Sequence, residues 1–475
     1  MSPSHLALLS LTLLSACSGE ASDCPSGFIM NEGGLCIEDV GVDSGDADAD
    51  ADADSDADAD SDADGDTDAD TDADTDTGDA CTNRADDDSD GWIDDEDPDC
   101  AIGTAEAGYG TSACNDGVDN DGDGTRDASD SDCADALGTS EVSSWVVCDD
   151  GVAAYADLQE AVDAAVDGDV ITVCAGVWDY VELSRLELTI EGEGRDVVTI
   201  DGGVHTAVTV EDGSLVLSGV TLTGTPASNG ATMALHATDT EVELSNVRVA
   251  DGTSSGGAAY GVYFLRTDTI VEGVVFEDNA ISNRLLVQLE GSMVMRHSIF
   301  RNNVASAEGG GTLLAVNGGE AEISNNIFHD NDSAGNSESI SLDPSGNTVW
   351  FFNNTAYGNA SSASEAFAYL FDGTNFENNI FYDTEVRGIF YQGSSTAVNY
   401  NDSFGHEALN FSDYSGVSET GNLELDPRFS DAPAGDFSLS GFSPCVDVGN
   451  PIAGYDDVDL TRNDMGAYGG PYGSW

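Results

Sequence analysis

From residue 169 onward apolar side chains come in short runs, DVITVC at 169, LELTI at 186 and VVTI at 197, separated by Gly and Asp turns. Runs of that length between turn residues predict strands, and no second helical period of useful length interrupts them. The one helical pattern is DLQEAVDAAV at 157–166. Asp157 and Glu160 stand three apart as in a capping box, and Leu158, Val162, Ala165 and Val166 share a face. From 219 a segment recurs: GVTLTG at 219, NVRVADG at 246, GVVFEDN at 273, HSIFRNN at 297, NNIFHDN at 325, NTAYGN at 354, NNIFYDT at 378 and NDSFGH at 401. The fourth positions are Leu222, Val249, Phe276, Phe300, Phe328, Tyr357, Phe381 and Phe404, spaced by 27, 27, 24, 28, 29, 24 and 23 residues.

A period of this size is that of a solenoid coil rather than a propeller blade, and the LxxLxL frame of leucine-rich repeats is absent. One coil cannot bury its apolar face, whereas coils stacked at a strand spacing of about 4.8 Å make a continuous interior. The recurring aromatics are therefore read as core. Asn279, Asn303, Asn326, Asn331, Asn354 and Asn379, at repeated turn positions, are read as a hydrogen-bonding ladder that satisfies turn backbone groups. The opening YADLQEAVDAAVDGDVITVCAGVWDYVEL at 155–183 resembles the entry to right-handed parallel β-helix domains of the pectate-lyase-like kind, with Trp178 where a tyrosine usually stands. DPRF at 426, FSLSGFSPCVDVGNP at 437 and DLTRNDMGAYGG at 459 resemble the closing segment of many bacterial β-helix proteins. The resemblance covers 145–475 and implies an all-β chain: a right-handed parallel β-helix solenoid with an N-terminal capping helix. Cys148 and Cys174 bracket that cap and are read as a pair.

Charge changes the picture of the partners. The 475 residues carry 92 acidic and 12 basic side chains, a formal charge of -80, which excludes nucleic acid and favours cations. Every base is arginine, so Schiff-base chemistry, lysine-dependent phosphate loops and a lysine general base are excluded. The six histidines are scattered, which argues against zinc.

The amino-terminal third reads as address, stalk and small modules. LALLSLTLL at 6–14 has the length of a signal-peptide core and ends in Leu14-Ser15-Ala16-Cys17, which resembles the bacterial lipoprotein box, although no Lys or Arg precedes it. That resemblance implies a signal peptide over 1–16, acylation of Cys17 and a place in the cell envelope, on the outer membrane and exposed at the surface. Within 17–42, Cys24 and Cys36 flank a turn-rich segment and are read as a local disulfide, as suits an oxidising compartment. Residues 43–79 hold 18 aspartates among Ala, Ser, Thr and Gly. Such a stretch cannot bury a core, and self-repulsion makes it a disordered acidic linker reaching up to roughly 100 Å.

Two copies of one unit fill 80–135. CTNRADDDSDGWIDDEDPDC at 81 and CNDGVDNDGDGTRDASDSDC at 114 both have cysteines nineteen apart and a twelve-residue acidic loop starting five after the first. Asp86, Asp88, Asp90, Trp92, Asp94 and Asp97 occupy positions 1, 3, 5, 7, 9 and 12, matched by Asp119, Asp121, Asp123, Thr125, Asp127 and Asp130. Calcium takes six to eight oxygens from a flexible loop, and alternating carboxylates with glycine at position 6 (Gly91, Gly124) let the chain turn around it. Position 7 offers its backbone carbonyl. Aspartate at position 12 and the lack of flanking amphipathic helices depart from an EF-hand; the units resemble the acidic, cysteine-bounded repeats of thrombospondin type 3 modules. The resemblance implies calcium as the bound ion. Eight carboxylates in 86–97 repel without a counterion, which couples metal binding to folding. Cys81, Cys100, Cys114 and Cys133 are read as disulfides, within the units or with Cys100 joined to Cys114, and Cys445 is left over as a buried small residue.

No catalytic set stands out. Arg266, Arg284, Arg296 and Arg301 are the only cluster of bases in mid-array, with Glu290, Glu308 and Asp330 as candidate neighbours, and are read as ion pairs on a negative surface. GTSSG at 252 matches a nucleophile-elbow string without its strand-turn-helix context. Two functions stay open: an adhesive or glycan-binding surface protein, or a polysaccharide lyase or hydrolase acting on acidic glycans. Shared use of a groove by one of these arginines and two or more carboxylates is the feature that separates them.

Overall fold

The computed structural model describes residues 28–30, 36–38 and most of 80–474; the stretches left out include 102–107, 121–125, 226–231, 255–258, 306–310, 334–337, 392–395 and 413–417. Cys17, Cys24, Asp119, Asp121, Asp123, Thr125 and the linker lie outside the described residues. Phe28–Met30 and Cys36–Glu38 pair as an antiparallel hairpin.

From Ser144 the chain winds through three parallel sheets. One coil runs Glu241–Ser245, Arg248–Ala250 and Tyr260–Leu265, and the next begins at Asp268–Glu272, which pairs in parallel register with Glu241–Ser245. Repetition gives a first sheet of 12 strands and second and third sheets of 10 each, with a four-stranded ribbon after the second sheet over part of the stack. Strands alternate inward and outward: in Ser214–Ser218, Leu215 and Leu217 are buried while Val216 is exposed. Stacking makes the inward positions one continuous interior from Val147 to Val398.

Helix α1, Leu158–Ala164, caps the first coil. The Asp157 carboxylate accepts from the N–H groups of Gln159 and Glu160, at 2.9 and 3.1 Å, and Leu158, Ala161 and Val162 face the core. The helix stops short of Val166, which is half exposed rather than on the buried face. There Asp169 draws the Val166 N–H into a turn at 2.7 Å. Trp178 is buried, and its indole donates to the Cys174 carbonyl at 3.0 Å.

The corner between first and second sheets needs one residue at positive φ: Gly219, Asn246, Gly273, His297, Asn325, Asn353, Asn378 and Tyr400. Left-handed backbone explains why Gly and Asn dominate the column. Next to it runs a ladder of buried amides, Asn326 to Asn354 at 2.9 Å, Asn354 to Asn379 at 3.1 Å and Asn379 to Asn401 at 3.0 Å, each Nδ2 donating to the next Oδ1. A second ladder lies beyond the second sheet: Asn279 to Asn303, Asn303 to Asn331 and Asn331 to Asn359, all 2.9 Å. The same amides cap backbone carbonyls of neighbouring coils inside the stack.

The aromatic column holds through Phe276, Phe300 and Phe328, all fully buried, with ring centroids 4.3 and 4.8 Å apart. It fails at two predicted members. Phe328 pairs with Ala356, and Phe381 with Ser403, so Tyr357 and Phe404 lie one residue past the interior position. A shift of one residue in a strand turns a side chain to the other face. Aligning the paired asparagines, Asn353-Asn354 with Asn325-Asn326, gives the correct register. Tyr357 instead continues an outer column that decides where the site lies.

Disulfides join Cys81 to Cys100, Cys114 to Cys133 and Cys148 to Cys174, within each unit rather than between units. Cys445 is the free cysteine among the described residues. It is buried with its thiol 3.3 Å from the Asp402 carboxylate. Burial first, then that neighbouring carboxylate, pushes the thiol far above its usual range, and burial lifts Asp402 to about 6. The pair is packing, not a nucleophile and its base.

Candidate functional site

The outward third positions of the second sheet stack as Glu277, Arg301, His329, Tyr357, Tyr382 and Phe404. The column passes from charged to aromatic along the rod. The chain then covers its aromatic end with a C-terminal hairpin, Phe429–Asp431 with Asp436–Leu439. Phe429 meets Tyr357 edge-on at 6.3 Å, and Phe437 lies 5.5 Å from Tyr357 and 5.2 Å from His329. Burial raises the phenols of Tyr357 and Tyr382 above their ordinary range.

Where the hairpin tip, Pro433-Ala434-Gly435, stops short of the charged end, a cleft of about 420 Å³ remains. Glu277, Arg301 and His329 form its floor, and Phe437 and Tyr468 line it from the C-terminal segments. Asp278, Asn302 and Asp330 form one wall. They occupy the positive-φ turn after each strand, at 55, 55 and 54°, a conformation Asn and Asp tolerate. Arg301 is bound to Glu277 through its Nε at 2.7 Å, and Arg248 reaches the same carboxylate at 3.5 Å and Asp196 at 3.2 Å. Glu277 is 8% exposed, so two guanidiniums neutralise a nearly buried carboxylate. Acceptor oxygens, an imidazole and ring edges meeting in one hollow are suited to a hydroxyl-rich ligand.

The four arginines do not cluster. Arg266 forks onto Asp239 at 2.6 Å through both Nε and an Nη, at the corner between third and first sheets, and Arg284 opens a third-sheet strand. Arg296 sits at the first-to-second corner beneath the Tyr472 ring at 3.8 Å and binds Glu322. The grouping by sequence proximity fails because successive coil corners point in different directions. Of the four, Arg301 lines a groove with several carboxylates, Glu277, Asp278 and Asp330 among them. Glu290 lies by Arg266, and Glu308 is outside the described residues.

The closing segment lies along the first corner of the stack. Asn450 N–H donates to Asn378 Oδ1 at 2.7 Å, and Asn353 Nδ2 to the Asp464 carbonyl at 2.8 Å. Further back, Asn325 Nδ2 reaches the Ala467 and Gly469 carbonyls at 2.9 and 2.8 Å, and His297 Nε2 lies 2.7 Å from the Tyr472 carbonyl. These contacts fix Tyr468 at the cleft. The sequence marks hairpin and tail as the closing segment of the β-helix but not their contacts along the stack, for which the asparagine doublets at 325, 353 and 378 are the available signal.

Where both are described, the two acidic units correspond, with short 3-10 turns at Asp94–Glu96 and Asp127–Ser129, 33 residues apart like Cys81 and Cys114. Asp86, Asp88 and Asp90 bring carboxylate oxygens within 4.8 Å of one another. Both Asp94 oxygens accept from the Arg84 N–H at 3.1 Å, and Asp127 Oδ1 accepts from Asp116 and Gly117 at 2.9 and 3.2 Å. Position 9 thus ties each loop to its base, a role the ligand pattern did not reveal. Asp97 and Asp130 at position 12 are buried, and Trp92 at position 7 is buried against the second unit. Burial, then repulsion from Asp88 and Asp97, pushes the Asp90 carboxyl up.

Residues 192–336 and 260–422 match a family model described as a right handed beta helix region. The chain is similar to the solved structure of pectate lyase Pel9A at 13% identity, over 69% of this chain and 96% of that one, with a TM-score of 0.40. It is also similar to a pectin methylesterase from carrot, at 13% identity over 58% and 87%, TM-score 0.32. A third similar structure is alginate lyase from Paenibacillus sp. str. FPU-7, at 15% identity over 56% and 96%, TM-score 0.27. No curated protein matches the chain. The fold is that of a right-handed parallel β-helix, and at these identities likeness extends to fold alone.

Proposed function

We propose that this is a calcium-binding protein of the bacterial cell envelope, anchored to the outer membrane by a lipid on Cys17, whose β-helix binds an extracellular glycan. The cleft beside the C-terminal hairpin carries this reading. It offers carboxylate acceptors to sugar hydroxyls and the edges of Phe437 and Tyr468 to the apolar side of a ring. Its three carboxylates outnumber its one guanidinium, which Glu277 already holds, so an uncharged sugar is favoured over an acidic one. Calcium would be held by the loops of 80–135, with Asp86, Asp88 and Asp90 as first ligands. The acidic linker would carry the rod away from the membrane.

Titration calorimetry with neutral and acidic oligosaccharides tests the cleft. A neutral oligosaccharide should bind, and Tyr468→Ala should weaken it about tenfold through loss of a ring contact. Binding unchanged in Tyr468→Ala, or none to any glycan, would sink the reading. A second reading, cleavage rather than binding, draws on Arg301 sharing the groove with Glu277, Asp278 and Asp330. Its signature is release of reducing or unsaturated ends. For the anchor, globomycin should leave an unprocessed precursor in the native host, and normal maturation under the drug would remove the lipid.

A further inference from the structure

The first acidic loop does not close on its own residues. Asp90 is 3% exposed; its Oδ1 accepts from the Trp92 N–H at 2.9 Å, and its Oδ2 is buried without a hydrogen-bond partner. Within hydrogen-bonding reach of that carboxylate stands the side chain of Asn115, from the second unit and 2% exposed, while its own Oδ1 is buried and without a partner. Oxygens buried without a donor are costly, most of all where one is charged. The packing is fixed: the Trp92 indole donates to the Cys114 carbonyl at 2.9 Å, and a Cβ at Gly91 would stand 3.0 Å from that of Ala128. Gly108 N–H donates to Asp88 from the segment joining the units.

We propose that the first cation site is completed across the two units, with Asn115 Oδ1 as a ligand beside Asp86, Asp88 and Asp90. The inference rests on the calcium reading above and adds to it a residue outside the twelve-residue loop. A half turn of the Asn115 amide exchanges its nitrogen for its oxygen at the Asp90 side, so the same packing presents an acceptor to the ion. The amide adds an oxygen ligand beside the three carboxylates of the loop. Calcium suits such an all-oxygen set better than magnesium, which keeps its waters. Filling the first site therefore requires the second unit to be folded and docked.

Calorimetric calcium titration of the full chain tests this. Asn115→Ala should lose at least tenfold in affinity at one site and leave the other unchanged, as should Asp90→Asn. Asn115→Asp, which keeps an oxygen in place, should restore binding at that site. Wild-type affinity in Asn115→Ala alongside a lost site in Asp90→Asn overturns the shared site and leaves the calcium reading standing. Equal weakening by Asn115→Ala and Asn115→Asp marks packing alone and also overturns it. No calcium bound by the wild-type chain removes both.

Discussion

Phe300→Ala should destabilise the rod by about 3–5 kcal/mol, the range for emptying a large aromatic site in a packed core. The ring is fully buried between Phe276 and Phe328, so the cavity would open between adjacent coils of the stack. Neighbouring coils cannot close it without breaking register on three sheets. Chemical denaturation of wild type and variant measures the loss. Phe442→Ala is the control, since that ring is 86% exposed and its removal should change stability by no more than about 0.5 kcal/mol. A Phe300→Ala protein as stable as the control would show that the column is not interior.

Asn331→Ala should approach the same size without removing much volume. Asn331 Nδ2 donates to the Phe300 carbonyl at 2.8 Å and to Asn359 Oδ1 at 2.9 Å. Its Oδ1 accepts from the Asn303 N–H and Nδ2 at 3.0 and 2.9 Å. Truncation strands buried groups on both adjacent coils, each costing about 1–3 kcal/mol, so a total near 3 kcal/mol is expected. Hydrogen exchange should locate the loss at the amides of Asn303 and its coil. Uniform protection in the variant would mean that water or another side chain replaces the amide and that the ladder is not structural.

The body plan was legible because its cause is local and repeated. Each coil needs an inward residue on the second sheet and an amide at the turn, and both recur at the coil period in Phe276, Phe300, Phe328 and Asn279, Asn303, Asn331. The register slipped where the coil interior takes a small residue: Ala356 and Ser403 fill positions beside larger neighbours, and the aromatic letters Tyr357 and Phe404 drew the alignment one place outward. That slip hid the outer column and with it the cleft. The hairpin at Phe429–Leu439 was equally hidden, because its partners His329, Tyr357 and Tyr382 lie many residues earlier and belong to the array by sequence but to the surface by register. In the acidic units, cysteine spacing left pairing within or between units open and the structure closes each loop within its unit, whereas the contact between Asp90 and Asn115 depends on how one unit packs on the next, which spacing within a unit does not encode.

Register also decides what the protein can do. With Glu277, Arg301 and His329 outward and the hairpin covering Tyr357 and Tyr382, the rod has a hollow in which charged, polar and aromatic groups converge. Moved inward by one residue, the same side chains would be buried and the hollow would vanish.

A crystal structure of the protein grown with the oligosaccharide that binds most tightly in titration tests this most directly. The account predicts sugar density between the Arg301–His329 floor and the rings of Phe437 and Tyr468, with hydroxyls on the carboxylates of Asp278 or Asp330. A sugar seated on another face of the rod, with this hollow holding only water, would contradict it.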